Sequence, residues 1–352
     1  MEHYSLGQRI YHAYKEFLMH QHKFTAYSNY KKRTQQSMQY FISGMKFFDE
    51  SMKWNKKLLS KNSDPLLRFF DSSYSYQNYR FEYLWESKYL EMIESPEIIE
   101  ITNTFMQTLF IKPPKMLSAN VLNIKDLESY EFMILVFNHY RFLSLSEYEY
   151  KPVVGRVFKS LCMECLQRII NIQKHYKYGT GIDNISASYE CASPFLFYTS
   201  NFLRMSTMHN HNIDPVFLFG HAEILAPIIT SLNVNSANDE NNNFLAKKFS
   251  DEELVPMASN LAWVLLEKEN TFYIQLRLNE SPSAIPGLYE YMPYIYLLDD
   301  YLNLVDNMIK SQNFDFFQVN KNVDGSININ DLVKILIQFN GRVDQDINEE
   351  KQ

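Results

Sequence analysis

Apolar side chains recur at intervals of three and four along much of the chain, the spacing that lines one face of an α-helix. Leu6, Ile10, Tyr14 and Phe17 predict a first helix, and Met38, Phe41, Ile42, Met45, Phe48 and Met52 a longer second one, bounded by Asp64-Pro65. A tyrosine-rich stretch from Tyr74 to Tyr89 predicts a helix built around Phe81, Leu84, Trp85 and Tyr89. Ser95-Pro96, Ser193-Pro194 and Asp214-Pro215 each place a capping side chain before a proline, whose missing N–H costs nothing in the first helical position. Ser250 with Glu253 reads as a capping box. These signals predict helices near 96–110, 194–208, 215–232 and 251–268, and periodicity alone adds 126–143 and 152–176. In the last of these, Val153, Val157, Leu161, Cys165, Ile169 and Ile172 form a stripe wide enough to be buried against several neighbours. The alternating run Phe272 to Leu278 reads either as one short strand or as a helical continuation.

Only 9 glycines and 12 prolines punctuate 352 residues, which implies few turns and long elements. A sheet-rich chain needs many tight turns, and glycine makes them without steric cost. The expected fold is therefore all-α, an irregular multi-helix bundle with at most a short strand near 272–278. The asparagine-rich run 233–243 reads as a polar loop between a helical body, 1–232, and a C-terminal part, 244–343, with 344–352 a disordered tail. An unbroken apolar run such as Phe132 to Phe137, which none exceeds in length, falls far short of the ~20 residues of a membrane span. The first residues show no basic segment leading into an apolar one, and three cysteines are too few for a disulfide framework. A soluble intracellular protein, cytoplasmic or nuclear, is expected.

The net charge of −7 is unevenly distributed, with residues 1–61 carrying +7 and the remainder −14. Within the basic part, Lys23, Lys31, Lys32 and Arg33 are interleaved with Phe24, Tyr27 and Tyr30, giving cations for phosphates and rings for stacking. They are the candidate site for nucleic acid or another acidic partner, although residues of the same kinds make any amphipathic helix. His221 and Glu223, near the helix that Pro227 would kink, are the candidate polar groups of an aromatic pocket in an enzyme. His12, Glu16 and His20 share a helix face at metal-ligand spacing, but no matching pair occurs on a second helix, so a solvated polar face is the default. Asp299-Asp300 lacks further carboxylates at useful spacing, and no Walker loop or Gly-x-Ser-x-Gly elbow is present.

One stretch has residue types and spacing that together spell a known chemistry. In the run 320–331, oxygen-bearing residues fall at positions 1, 3, 5, 7, 9 and 12, namely Asn320, Asn322, Asp324, Ser326, Asn328 and Asp331, with Gly325 at the sharp turn. The loop resembles an EF-hand or half of a dockerin repeat, and the resemblance implies calcium coordination by those six residues. With two formal charges facing the ion, the expected cofactor is none, or calcium bound weakly. Broad apolar helix faces without a catalytic set then imply a non-enzymatic scaffold or regulatory protein with a protein partner, weakly calcium-responsive. The alternatives are a helical enzyme using His221 and Glu223, and a nucleic-acid-associated regulator using residues 23–33.

Overall fold

In the computed structural model, the residues described are 2–81 apart from 22, 60–63 and 65; scattered positions between 91 and 103; 163–207 apart from 181–185; 214–234; and 254–311. They contain two sheets. The first is parallel, with β1 (Lys23–Ser28) between β2 (Lys53–Leu58) and β3 (Val216–Phe219). Its register sets Lys23 opposite Lys53, and Ser28 opposite both Leu58 and Phe219. Parallel neighbours need a crossover between them, and α3 (Lys32–Lys46) supplies it from β1 to β2. Before β1 come α1 (Glu2–Ala13) and α2 (Lys15–Met19).

As the central strand, β1 buries Phe24, Ala26, Tyr27 and Ser28, so its sequence is nearly continuous rather than alternating. The core beneath it gathers Leu6, Tyr11, Leu18, Met38, Phe41, Ile42 and Met45 from the first three helices. Trp54 of β2 stacks on Phe24 at 5.1 Å, and Phe217 of β3 lies 5.3 Å from both Phe41 and Trp54, so each strand contributes a ring. Glycines let α1 and α3 cross closely: a Cβ at Gly7 would sit 2.2 Å from the Phe41 carbonyl oxygen, and one at Gly44 2.0 Å from that of Tyr4.

After β2 come α4 (Phe69–Ser72) and α5 (Tyr74–Phe81), and later α6 (Met163–Tyr178), α7 (Ala187–Glu190) and α8 (Ser193–Ser206). Beyond β3, α9 (Ala222–Ser231) closes the parallel part. The second sheet is antiparallel. It runs β4 (Leu261–Lys268), β5 (Thr271–Leu278), β8 (Ile295–Leu297) and β7 (Glu290–Met292), with β6 (Ser281–Pro282) also on β5. Ile274, Leu276 and Leu278 alternate into its core, and Trp263 Nε1 donates to the buried Tyr301 hydroxyl of α10 (Leu298–Ser311) at 2.7 Å. The chain divides into two compact units, one of residues 1–78, 189–236 and 254–352 and one of 79–188 and 237–253. In the second unit, Tyr79 donates to the Tyr176 carbonyl at 2.5 Å and Ser188 to that of Gly179 at 2.6 Å. Among the described residues no helix is long and apolar enough to cross a membrane.

The all-α expectation is thus corrected to an α/β fold. The helix expected over 215–232 divides into β3 and α9, and Asp214-Pro215 opens a strand, with the Pro215 carbonyl accepting from Thr25 N–H. Residues 261–268, expected to end a helix, form β4, and the alternating run 272–278 belongs to β5. The inference from scarce glycine fails for a visible reason. Turns here use other residues in the left-handed region: Glu269-Asn270 joins β4 to β5 and Asn279-Glu280 joins β5 to β6, all four at positive φ. Such pairs are what two-residue hairpins with the right twist require.

Candidate functional site

The C-terminal ends of parallel strands are where open α/β sheets hold their ligands. At the end of β1, the Asn29 N–H reaches the Phe219 carbonyl of β3 at 3.5 Å. The Asn29 side chain turns back on its own backbone, its Oδ1 accepting the Lys31 N–H at 3.0 Å and lying 2.5 Å from the Thr34 hydroxyl. This Asx-type turn starts α3. Lys31 precedes the helix, Lys32 and Arg33 occupy its first turn, and no acidic residue is there to offset them. Three cations at the positive end of a 15-residue helix repel its dipole. An anion seated there would relieve that repulsion.

From β3 the chain passes through Gly220 to His221, which in extended conformation precedes α9. Arg33 Nε donates to His221 Nδ1 at 3.1 Å. A neutral imidazole accepting at Nδ1 carries its proton on Nε2, and that Nε2 is buried without a partner. Burial, reinforced by Arg33 and opposed by Glu223, lowers the His221 pKa to about 4. Arg68 and Lys31 act in the same direction as Arg33, so the ring is neutral at neutral pH.

Arg68 is fixed from three sides: its guanidinium lies 5.4 Å from the Tyr30 ring centre and 5.0 Å from that of Phe70, and Nε pairs with Asp71. Lys31 Nζ lies 4.8 Å over the same Tyr30 ring. The turn that delivers Arg68 depends on Asp64, whose Oδ1 accepts the Leu67 N–H at 2.7 Å and whose carbonyl accepts the Arg68 N–H at 3.0 Å. Burial raises the Asp64 carboxyl pKa to about 6, against the Leu67 hydrogen bond and the Arg68 charge.

Among residues singled out in the sequence, Lys31, Lys32, Arg33, His221 and Glu223 come to this one end of the sheet. Lys23 begins β1 and lies roughly 17 Å away, five steps of about 3.3 Å along an extended strand. Asn320, Asn322, Asp324, Ser326, Asn328 and Asp331 lie outside the described residues. Among the described residues, no three His, Cys, Asp or Glu side chains gather to hold a metal. His12 packs its ring on Phe48 at 4.3 Å, and α1 ends at Ala13, before the helix that carries Glu16. Asn29, Arg68 and Asp64 were missed by sequence reasoning. The signal for Asn29 was an asparagine closing an apolar run, with one residue between it and three consecutive cations, and nothing local marks Arg68.

The parallel sheet, with its cationic helix start and a buried imidazole at the strand ends, defines an α/β protein. The chain belongs to the histidine phosphatase superfamily (branch 2), whose sequence profile matches residues 1–279. A family thus extends over most of the chain, and the EF-hand or dockerin-like loop is not what identifies it. The superfamily is one of phosphatases, which corrects the expectation of a non-enzymatic scaffold, of a calcium-responsive regulator and of a nucleic-acid-associated protein.

Solved structures with the same fold include the multiple inositol polyphosphate phosphatase of Bifidobacterium longum in complex with inositol hexasulfate, at a TM-score of 0.66 and 13% identity, covering 94% of this chain and 79% of that one. The phytase from D. castellii matches at 0.57 and 13% identity, covering 92% and 66%. The phytase from Klebsiella sp ASR1 matches at 0.53 and 10% identity, covering 90% and 87%. A comparison with curated proteins finds no match to the sequence.

Proposed function

We propose that the chain hydrolyses phosphate monoesters, with the phosphoryl group held at the C-terminal ends of β1 and β3. The observation that carries this reading is the Arg33–His221 hydrogen bond, which leaves an unpartnered Nε2–H beside Lys31, Arg33 and Arg68. Phosphoryl transfer asks a protein mainly for positioning and for charge stabilisation around the equatorial oxygens. A neutral donor ringed by cations supplies both. Because Nδ1 is occupied, His221 serves as an oxyanion donor, and water is the group that attacks phosphorus. The P–O bond to the alcohol breaks as the new one forms. Glu223, the carboxylate whose charge acts on His221, takes a proton from the attacking water and hands it to the departing alkoxide.

The ligand class that suits several cations is a polyanion. Solved relatives are inositol polyphosphate phosphatases and phytases, and inositol polyphosphates are the first esters to test. Release of inorganic phosphate from inositol hexakisphosphate and from an aryl phosphate is the assay. Hydrolysis by the wild-type chain, lost in Glu223→Gln with affinity retained, is the expected result. Ester binding without phosphate release would remove the hydrolytic step.

A further inference from the structure

The mechanism above uses an imidazole and three cations, but a second neutral donor stands at the same strand ends. Asn29 is fully buried, and its Nδ2 has no hydrogen-bond partner. The orientation of its amide is not arbitrary. The Lys31 backbone N–H needs an acceptor 3.0 Å away, so the atom it meets is the oxygen, and Nδ2 carries both hydrogens. Reversing the amide would set two donors face to face. The Thr34 hydroxyl, 2.5 Å from the same oxygen, holds the group in place and is itself held 2.7 Å from the Lys31 carbonyl.

A buried donor left unpaired has given up its hydration without any compensating bond. Here the unpaired donor belongs to a side chain pinned at its other end, directly between the last residue of β1 and the cationic start of α3. His221 Nε2 repeats the arrangement at the end of β3: one atom of the group locked by a fixed partner, the other bare and buried. The two strands are joined at this point by the Asn29 N–H to the Phe219 carbonyl.

From this pairing we infer that Asn29 is a ligand-binding residue, its Nδ2 donating to an oxygen of the bound phosphoryl group alongside His221. The inference rests on the phosphate-ester reading of the site. It adds to that reading that the innermost donors are neutral, with the cations ranged outside them. The asparagine thus selects for an anionic group small enough to reach β1, such as a terminal phosphate or sulfate.

The test is calorimetric binding of inositol hexasulfate, which cannot be hydrolysed as a phosphate ester, to the full wild-type chain and to Asn29→Asp, Asn29→Ser and Arg33→Ala. Aspartate keeps the acceptor for Lys31 and Thr34 but replaces both donors with charge, and affinity is expected to fall about 100-fold or more, because repulsion between two anions adds to the lost hydrogen bond. Serine keeps a small acceptor for the turn and stays neutral, so if the aspartate chain does not fold, the serine chain decides. About tenfold weaker binding is expected for it, with the salt dependence of affinity unchanged because no charge has been removed. Arg33→Ala instead flattens that dependence. Wild-type affinity in Asn29→Ser, with Arg33→Ala impaired, would overturn the Asn29 assignment alone. No binding by the wild-type chain would overturn it together with the phosphate-ester reading.

Discussion

Arg33 and His221 are 188 positions apart in sequence and 3.1 Å apart in space. One hydrogen bond joins the start of α3 to the start of α9 and sets which imidazole nitrogen bears the proton. Removing the guanidinium takes away both the Nδ1 donor and the largest nearby charge acting to lower the His221 pKa. In Arg33→Ala the imidazole is expected to titrate at higher pH than in the wild-type chain, as followed by proton NMR of the ring. An unchanged titration would show that the two groups do not meet in solution.

His221 and Asp64 link stability to pH with opposite signs. The His221 pKa is lowered from 6.5 to about 4, so between these values the unfolded chain holds more protons and stability rises with pH. The Asp64 pKa is raised from 3.8 to about 6, so over that window the folded chain holds more protons and stability falls with pH. Asp64→Asn keeps the acceptor for Leu67 and removes the second effect. Urea unfolding between pH 4 and 6.5 is expected to show a steeper rise of stability with pH in Asp64→Asn than in the wild-type chain. Parallel profiles would contradict the Asp64 assignment.

Gly44 tests the approach of α1 to α3. A methyl group there meets the Tyr4 carbonyl oxygen at 2.0 Å, a backbone atom that cannot step aside. Gly44→Ala is expected to cost about 1–3 kcal/mol or more of unfolding free energy by over-packing, despite the helix propensity of alanine. Chemical denaturation of the variant measures it, and a neutral or stabilising effect would mean that the helices cross elsewhere.

Trp263 and Tyr301 join the antiparallel sheet to α10 inside the core. Tyr301→Phe leaves the indole N–H without an acceptor, and a loss of roughly 1–3 kcal/mol is expected from thermal or chemical unfolding.

Helices were the legible part of this fold, because they bury one face and so print their period on the sequence. Leu6 and Ile10 lie in α1, Met38 to Met45 lie in α3, and the helix expected near 194–208 is α8, with Ala192 rather than Ser193 as its cap. Strands of the parallel sheet were not legible, since Phe24 to Ser28 is buried nearly throughout and a short apolar run carries no period. Glu269-Asn270 and Asn279-Glu280 hid two hairpins behind residues that look like ordinary surface. At the site, His221, Glu223 and the Lys31–Arg33 cluster stood out as residue types, but their association was set by strand pairing over almost two hundred positions. Asn29 is marked only by closing the run of β1 ahead of the cations and Arg68 by nothing local, and their roles arise from a turn and from the two rings beside Arg68.

The central strand of the parallel sheet emerges early in synthesis, and one of its two partners emerges very late. At ~5–20 residues per second, the 188 positions between Arg33 and His221 take roughly ten to forty seconds to make. Through that interval β1 presents a bare edge of backbone hydrogen-bonding groups on the β3 side, a template for wrong pairing. The newborn polypeptide is therefore exposed to self-association, and assistance from chaperones is of most use, before Phe219 is made.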